Sequence, residues 1–272
     1  MKSLPSLSIL ARISYKLADL RVSLAFVAVS AALACAALWA WRQFKTSPPY
    51  VDPERYPVRG IDVSAHNGMM NLDAAAESGI EFIFIKASEG DTFRDANFRI
   101  NYDKASHAGM KIGAYHFFRF DCDGVSQGMN LRKAIADRPL ELGVAIDVEE
   151  TGNPEGVDSV LIARRLEAMV DYLYLSGYRV TVYSNRQGYY EYVRNSVPGA
   201  KLWICSFHPV PIAAEWTFWQ FYHHGHVPGI RGEVDLDVFC GSREEWQNFL
   251  DGAQWPYDTP PTLTISTPKS RY

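Results

Sequence analysis

The strongest constraint on the fold is a series of eight short runs rich in β-branched and aromatic residues, with helical patterns separating the first six. Runs of this composition, bounded by Gly, Pro, Ser or Asn, are typical of β-strands. The predicted strands are Val58–Val63, Glu81–Ala87, Lys111–Phe117, Leu142–Glu149, Tyr178–Tyr183, Lys201–Cys205, Thr217–Phe221 and Val234–Phe239. The predicted helices lie at residues 71–79, 97–109, 125–137, 157–176 and 186–195.

This order of elements predicts the fold class. Alternating strands and helices indicate a parallel sheet, and eight strands can close into a barrel. After the fifth helix the gaps are short and contain Pro and Gly instead of helical patterns. We therefore predict an α/β fold, an irregular TIM-like barrel of five βα units followed by three strands, within residues 58–255. In such barrels the functional side chains lie at the C-terminal ends of the strands.

The N-terminal segment contains an uncharged apolar run from Ser23 to Trp41. At ~1.5 Å per residue, a helix of this length spans about 28 Å, close to the hydrocarbon thickness of a bilayer. A cleaved signal peptide has a shorter apolar core that starts earlier. A lipoprotein cleavage box at Ala32–Cys35 fits poorly, because the apolar run continues beyond it. We predict an N-terminal transmembrane helix, an uncleaved anchor, at residues 23–41.

The anchor divides the remaining sequence into predicted segments. Positive charges in residues 1–22 favour a cytoplasmic N-terminus, which predicts a single-pass protein of the cytoplasmic (inner) membrane with its main domain outside. Residues 42–57 hold four prolines and predict a stiff linker. Residues 256–272 are rich in Pro and Thr and predict a disordered tail.

Charge and motif content exclude several classes of function. Residues 1–57 carry seven Lys/Arg against three Asp/Glu, and since the whole chain has a net charge of -4, the remainder carries -8. An acidic main domain argues against a nucleic-acid-binding protein. The sequence has no Walker loop, dinucleotide fingerprint or zinc-ligand spacing, so no cofactor or metal is predicted.

Five carboxylates lie on predicted strands that meet in a closed barrel. Asp147 and Glu149 are two apart in LGVAIDVE, so they share one strand face about 6.5–7 Å apart. Asp62 ends the first strand, which is next to the last strand with Asp235 and Asp237. One acidic pocket at the strand ends is typical of glycosidic bond cleavage. An ion-pair network and a divalent-metal site are alternatives, although no histidine or further ligand spacing supports the metal.

The ordered segments GIDVSAHNG, FIFIKASEG, AIDVEE, VTVYSN, LWICSF and VDLDVF resemble those of glycoside hydrolase family 25, the Chalaropsis-type lysozymes. The resemblance implies hydrolysis of the β-1,4 bond between N-acetylmuramic acid and N-acetylglucosamine in peptidoglycan. It also implies that Glu149 is the acid/base and Asp147 the D-x-E aspartate, with Asp62 and Asp235 as further catalytic acids. We expect peptidoglycan glycan strands as the partner and a monomeric catalytic domain.

Two courses of the reaction remain open. A carboxylate could attack the anomeric carbon, with the acids ~5–5.5 Å apart. Alternatively, the N-acetyl oxygen of the substrate attacks while Asp147 orients it, which is the course we favour. Among the lesser candidates, four match sugar-groove positions of the family and the fifth, Glu89, ends the second strand near the barrel mouth. The predicted substrate-binding residues are Tyr115, Tyr183, Trp203, Gln220 and Glu89.

Two other functions compete with this interpretation. A chitinase-like N-acetylhexosaminidase would carry a longer acidic series before the final glutamate than the LGVAI that precedes Asp147. A non-catalytic peptidoglycan-binding module on the same barrel would be expected to have lost at least one of the four acids. The histidines of the segment YHHGHVPG lie in a predicted loop without a fixed ligand geometry, so no metal site is predicted there.

Overall fold

A computed structural model describes two units of the chain, one ending at Ser47 and one beginning at Pro48. In the first unit, residues 27–39 form a helix, α1, whose larger apolar side chains such as Leu33 and Trp39 are exposed. Within the described part of the chain, no helix is both long and apolar enough to cross a bilayer. The described residues are 27–39, 48–136, 138–207 and 215–252.

Several predicted segments therefore lie wholly or partly outside the described residues. These are the N-terminal segment 1–22, both ends of the predicted anchor, the start of the linker and the tail 256–272. Residues 253–255 at the end of the predicted barrel domain are also outside this range.

The second unit is built from nine strands and six α-helices, counted over the described residues. The strands are β1 (Arg59–Val63), β2 (Ile80–Glu89), β3 (Phe93–Arg94), β4 (Lys111–Phe117), β5 (Val144–Asp147), β6 (Val180–Asn185), β7 (Lys201–Cys205), β8 (Phe218–Gly225) and β9 (Val234–Phe239). The helices are α2 (Leu72–Glu77), α3 (Phe98–His107), α4 (Gly124–Ile135), α5 (Ser159–Leu175), α6 (Arg186–Gly188) and α7 (Arg243–Leu250). A π-helical turn at Tyr189–Val193 follows α6 directly.

The strands close into the predicted barrel. Their order is β1-β9-β8-β7-β6-β5-β4-β2-β3, and pairing of β1 with β2 joins the two ends. All eight predicted strands and five predicted helices are present, so the TIM-like α/β fold is confirmed. The extra strand β3 is a two-residue antiparallel addition to the end of β2.

One strand breaks the parallel arrangement. β9 is antiparallel to both of its neighbours, β8 and β1. Its N-terminal end therefore lies at the mouth, the edge where the parallel strands have their C-terminal ends. In parallel barrels the functional residues lie at the C-terminal ends of the strands, but the C-terminal end of β9 lies away from the mouth. The residues that reach the mouth are those at its start.

The lower half of the barrel is filled by large rings. Phe82 and Phe84 of β2 pack with Phe218 of β8, at centroid distances of 5.2 and 5.1 Å. From α7, Trp246 and Phe249 close the end opposite the mouth, against Phe82 and Phe218 respectively. Helix α7 is absent from the sequence-based prediction, although its capping box of Ser242 and Glu245 is a recognisable helix start.

The predicted linker includes residues that pack on the barrel. Tyr56 is 9% exposed and lies on the outer face of β7–β9, with its ring 5.7 Å from Trp216 and 6.0 Å from Trp219. Val51 is partly buried against the same cluster. Residues 48–57, the second half of the predicted linker, therefore pack on the outer face of the sheet and are not a free spacer. We call this segment the strap.

We expect Tyr56→Ala to lower the free energy of unfolding of the protein by about 3 kcal/mol, because it leaves a cavity beneath the strap. Urea denaturation followed by tryptophan fluorescence measures this loss. Tyr50→Ala is the matched control, since Tyr50 is 81% exposed and its removal should change stability by less than about 0.5 kcal/mol. Equal effects of the two substitutions would contradict the packing role of the strap.

Candidate active site

The mouth of the barrel contains a cavity of about 320 Å³ that gathers all four predicted catalytic acids. They come from β1, from the end of β5 and from β9, so three separate parts of the chain supply them. Four of the five predicted substrate-binding residues line the same cavity. The lining residues are Asp62, Tyr115, Asp147, Glu149, Thr151, Tyr183, Trp203, Gln220, His223 and Asp235.

Asp147 and Glu149 reach the cavity from the end of β5. The strand ends at Asp147, two residues earlier than predicted, because the chain turns after it. Backbone bonds still hold this segment in place: the Val148 amide donates to the Tyr183 carbonyl at 2.9 Å, and the Asn153 side-chain amide donates to the Glu149 carbonyl at 2.9 Å. Both carboxyls thus face the cavity although Glu149 lies beyond the strand.

Asp62 and Asp235 lie directly opposite each other in the β1–β9 register. This pairing follows from the reversed direction of β9, which brings its second residue to the level of Asp62. The side-chain amide of Gln220 donates to Asp62 at 2.6 Å and accepts the hydroxyl of Tyr183 at 2.8 Å. Gln220 therefore orients the Asp62 carboxyl through its side chain.

Burial and crowding raise the pKa of three of these acids. The pKa of Asp147 is raised well above its usual value, first by burial and then by the charge of Glu149, against the opposing effect of Lys86. Burial also raises the pKa of Glu149, with His223 opposing the shift. The pKa of Asp62 is raised well above its usual value by burial and by the neighbouring acids. This environment favours a protonated carboxyl at the mouth, which a general acid requires.

One acid oxygen in the cavity wall has no protein partner. Oδ1 of Asp147 is buried and receives no hydrogen bond from any described residue. A buried acceptor without a donor costs roughly 1–3 kcal/mol.

Glu89 is the predicted substrate-binding residue that does not line the cavity. Its carboxylate lies 2.8 Å from the Lys86 ammonium and 3.6 Å from the Arg119 guanidinium. Glu89 lies at the end of β2, as predicted. Its carboxylate, however, forms ion pairs with Lys86 and Arg119.

The sequence-based prediction omitted Thr151 and His223 from the cavity lining. Nδ1 of His223 lies 2.7 Å from Oδ1 of Asp235, and the ring is flanked by Phe207 at a centroid distance of 4.2 Å. The register between β8 and β9 shifts on both sides of Tyr222. Such bulges re-aim side chains, so strand alternation could not place His223 at the mouth.

The other two histidines of the segment YHHGHVPG, His224 and His226, have protein partners of their own. Nδ1 of His224 lies 2.7 Å from a carboxylate oxygen of Glu233. Over the residues that the structure describes, no group of three or more His, Cys, Asp or Glu side chains is arranged to hold a metal ion.

His116 is buried behind the site in a chain of polar groups. Its Nδ1 lies 2.8 Å from the Ser88 hydroxyl, and its Nε2 lies 3.1 Å from the Gln127 carbonyl oxygen. Gln127 also accepts the Arg119 amide, so the geometry assigns the ring proton to Nε2. Ser88 and His116 are both fully buried, which makes this pair structural and not a nucleophilic dyad. Burial lowers the pKa of His116 to about 4; Gln127 and Glu89 oppose the shift and Lys86 adds to it.

Acidification should therefore destabilise the fold through His116. Between pH 6.5 and about 4 the unfolded chain binds a proton that the folded protein does not, so stability falls as pH falls, by about 3 kcal/mol across this window. Urea denaturation at pH 7 and pH 4.5 measures the loss in the wild type and in His116→Asn. The loss should be smaller in the variant. Identical pH dependence in the two proteins would contradict a neutral His116.

A closed α/β barrel with several carboxyls in one cavity at its mouth is compatible with glycoside hydrolysis. The sequence profile of Glycosyl hydrolases family 25 matches residues 61–230, a range that includes Asp62, Asp147 and Glu149 and ends before Asp235. The chain belongs to this family and is therefore a glycoside hydrolase.

Relatives and solved structures agree with this assignment. An autolytic lysozyme of Clostridium acetobutylicum is 34% identical over 184 residues, covering 67% of this chain and 56% of that protein, so the chain spans little more than half of that relative. Lysozyme M1 of Streptomyces globisporus is 31% identical, covering 68% of each chain. The structure of a family 25 glycosyl hydrolase from Bacillus anthracis is 31% identical with a TM-score of 0.67, covering 74% of this chain and 96% of that one.

Proposed function

We propose that this protein is a lysozyme that hydrolyses the β-1,4 bond between N-acetylmuramic acid and N-acetylglucosamine in peptidoglycan. The observation that carries the proposal is the position of Asp147 beside Glu149 in the cavity at the mouth of the barrel. The two related lysozymes support the choice of peptidoglycan as the substrate.

In this proposal Glu149 is the general acid and base. Burial raises its pKa, which favours the protonated carboxyl that a general acid needs to protonate the leaving glycosidic oxygen. After bond cleavage the Glu149 carboxylate accepts a proton from the attacking water. Two displacements at the same carbon then give retention of the anomeric configuration.

The acetamido group of the substrate is the proposed nucleophile. Its carbonyl oxygen attacks the anomeric carbon and forms an oxazolinium ion, while its N–H donates to the Asp147 carboxyl, which lines the cavity. As positive charge develops on the ring, the ionised form of Asp147 stabilises it.

Fluorinated substrates test the nucleophile. Replacing the acetamido methyl by fluoromethyl, difluoromethyl and trifluoromethyl groups lowers the nucleophilicity of the carbonyl oxygen step by step, while the oxygen keeps its position. The rate of glycosidic cleavage should fall along the series if that oxygen attacks. A rate independent of fluorination would instead point to attack by a carboxylate.

Product analysis tests the proposed bond specificity. Digests of purified peptidoglycan, reduced with borohydride and analysed by mass spectrometry, should contain muropeptides ending in reduced muramic acid. Reduced glucosamine ends, or cleavage of chitin without cleavage of peptidoglycan, would contradict the proposal and favour a hexosaminidase. Peptidoglycan binding without any cleavage would favour a non-catalytic module.

We further propose that residues 23–41 anchor the enzyme in the cytoplasmic membrane, with the N-terminus inside and the barrel outside. The uncharged run in the sequence and the helical state of residues 27–39 support this proposal. The full chain should stay in the membrane fraction after carbonate extraction at alkaline pH, with an intact N-terminus. Recovery of a soluble, N-terminally cleaved form would favour a signal peptide.

A further inference from the structure

Asp237 lies just below the catalytic cavity and is 1% exposed. It is two residues after Asp235 on β9, so the two side chains share the inner face of the barrel. The indole N–H of Trp203 donates to its Oδ1 at 2.8 Å. Its Oδ2 is buried and receives no hydrogen bond from the described residues. The proposed mechanism does not use this carboxyl.

Gln220 of β8 lies opposite Asp237 in the β8–β9 register, and from β1 the side chain that reaches Asp237 is that of Asp62. The residue opposite Asp237 in the β1–β9 register is Gly60, which has no side chain to separate the two carboxyls. Asp62 lies within hydrogen-bonding reach of Asp237 when one of the pair carries a proton. Two ionised carboxylates within hydrogen-bonding reach of each other would repel in a buried site, whereas one shared proton makes the contact attractive.

We propose that Asp237 is a positioning residue that carries the shared proton and donates it to Asp62, so that Asp62 remains an anion at the floor of the cavity. The proton belongs on Asp237 because this residue is the more buried of the two, while Asp62 is 7% exposed and lines the cavity. Gln220 also donates to Asp62 at 2.6 Å, which stabilises the ionised form.

The surrounding groups agree with this distribution of charge. Asp235 of β9 and Asp147 of β5 are both close enough to raise the cost of a further negative charge on the pair. From β6, the hydroxyl of Tyr183 fixes the orientation of Gln220, and from β4 Tyr115 lines the same cavity. Lys86 of β2 lowers the pKa of Asp147. Burial raises the pKa of Asp237 well above its usual value, against the opposing effect of its hydrogen bonds with Trp203 and Asp62.

A proton on Asp237 makes it equivalent in shape and hydrogen bonding to asparagine. In Asp237→Asn, the amide oxygen can accept from Trp203 and the amide N–H can donate to Asp62. This variant should keep kcat/KM for peptidoglycan within about threefold of wild type, because both hydrogen bonds are retained. Asp237→Leu has a similar volume but no donor, and should lose roughly 30-fold, as expected for one hydrogen bond to a charged group.

A second readout does not depend on catalysis. Because the folded protein holds a proton on Asp237 that the unfolded chain releases above about pH 4, this residue destabilises the fold as pH rises. The melting temperature of Asp237→Asn minus that of wild type should therefore increase from pH 4 to pH 7. The carboxyl carbon of Asp237, followed by NMR, should stay in its protonated state over this range.

The proposal rests on the proposed function only in taking Asp62 to act as an anion. Asp62→Asn should lower kcat/KM strongly; if it does not, the prediction that Asp62 is one of the catalytic acids fails, while the stability and NMR results still decide where the proton lies. An Asp237→Asn enzyme as inactive as Asp62→Asn, or an ionised Asp237 signal at neutral pH, would overturn the proposal.

Discussion

Glu149→Gln is expected to lower kcat for peptidoglycan cleavage by about 1000-fold, within the range assigned to a lost general acid. Glutamine has nearly the same shape as glutamic acid, but it cannot protonate the leaving oxygen or accept a proton from water. The backbone around Glu149 is held by Asn153 and by the Val148 amide, so the substitution should leave the fold unchanged. The measurement is the initial rate of turbidity loss of purified cell walls.

The matched control for this experiment is Glu155→Gln. It makes the same chemical change six residues later, at an exposed carboxylate outside the cavity. Its activity should equal that of wild type. If Glu149→Gln retained wild-type turbidity loss while both variants melted like wild type, Glu149 would not be the acid. A folded but inactive Glu149→Gln protein should still bind the wall in a sedimentation assay.

Asp147→Asn is expected to lower kcat by about 100- to 1000-fold with a much smaller change in KM, as is typical of lost electrostatic stabilisation in a transition state. The asparagine oxygen can still accept the acetamido N–H, so the ground state is bound almost as before. It has no negative charge to stabilise the oxazolinium ion. Steady-state kinetics on a soluble glycan of defined length separates the two parameters.

Asp147→Ala provides the comparison. It removes both the acceptor and the charge, so KM should rise as well as kcat fall. If Asp147→Asn raised KM by the full factor and kept kcat, Asp147 would serve in substrate binding alone. A covalent glycosyl–enzyme adduct on Asp147, trapped with a fluorosugar and found by mass spectrometry, would show direct attack by this residue.

The barrel could be predicted from the sequence because most of the patterns that indicate its strands and helices are local. Strand composition, helix periodicity and the position of acids such as Asp62 and Asp147 can be assigned from neighbouring residues along the chain. The direction of a strand is different, since the run VDLDVF looks the same in a parallel or an antiparallel barrel strand. The pairing of Asp235 with Asp62 was predicted from barrel closure, but the reversal of β9 that brings the start of this strand to the mouth was not.

Other features depend on contacts that no short window of sequence contains. His223 reaches Asp235 only through the bulge in β8. Tyr56 lies in a segment whose prolines indicate a linker, yet a three-ring contact with distant tryptophans buries it. Glu89 ends its strand as predicted, but in the folded chain its carboxylate forms ion pairs with Lys86 and Arg119.

The reversed strand β9 also determines where the chain leaves the barrel. A parallel eighth strand would end at the mouth, whereas β9 ends at the opposite side and leads into α7, which packs there through Trp246 and Phe249. A domain joined after Leu250 would begin on the side away from the acids of the cavity. The entrance for a long glycan strand would then stay open, so this end of the barrel is the suitable attachment point for a wall-binding module or an affinity tag.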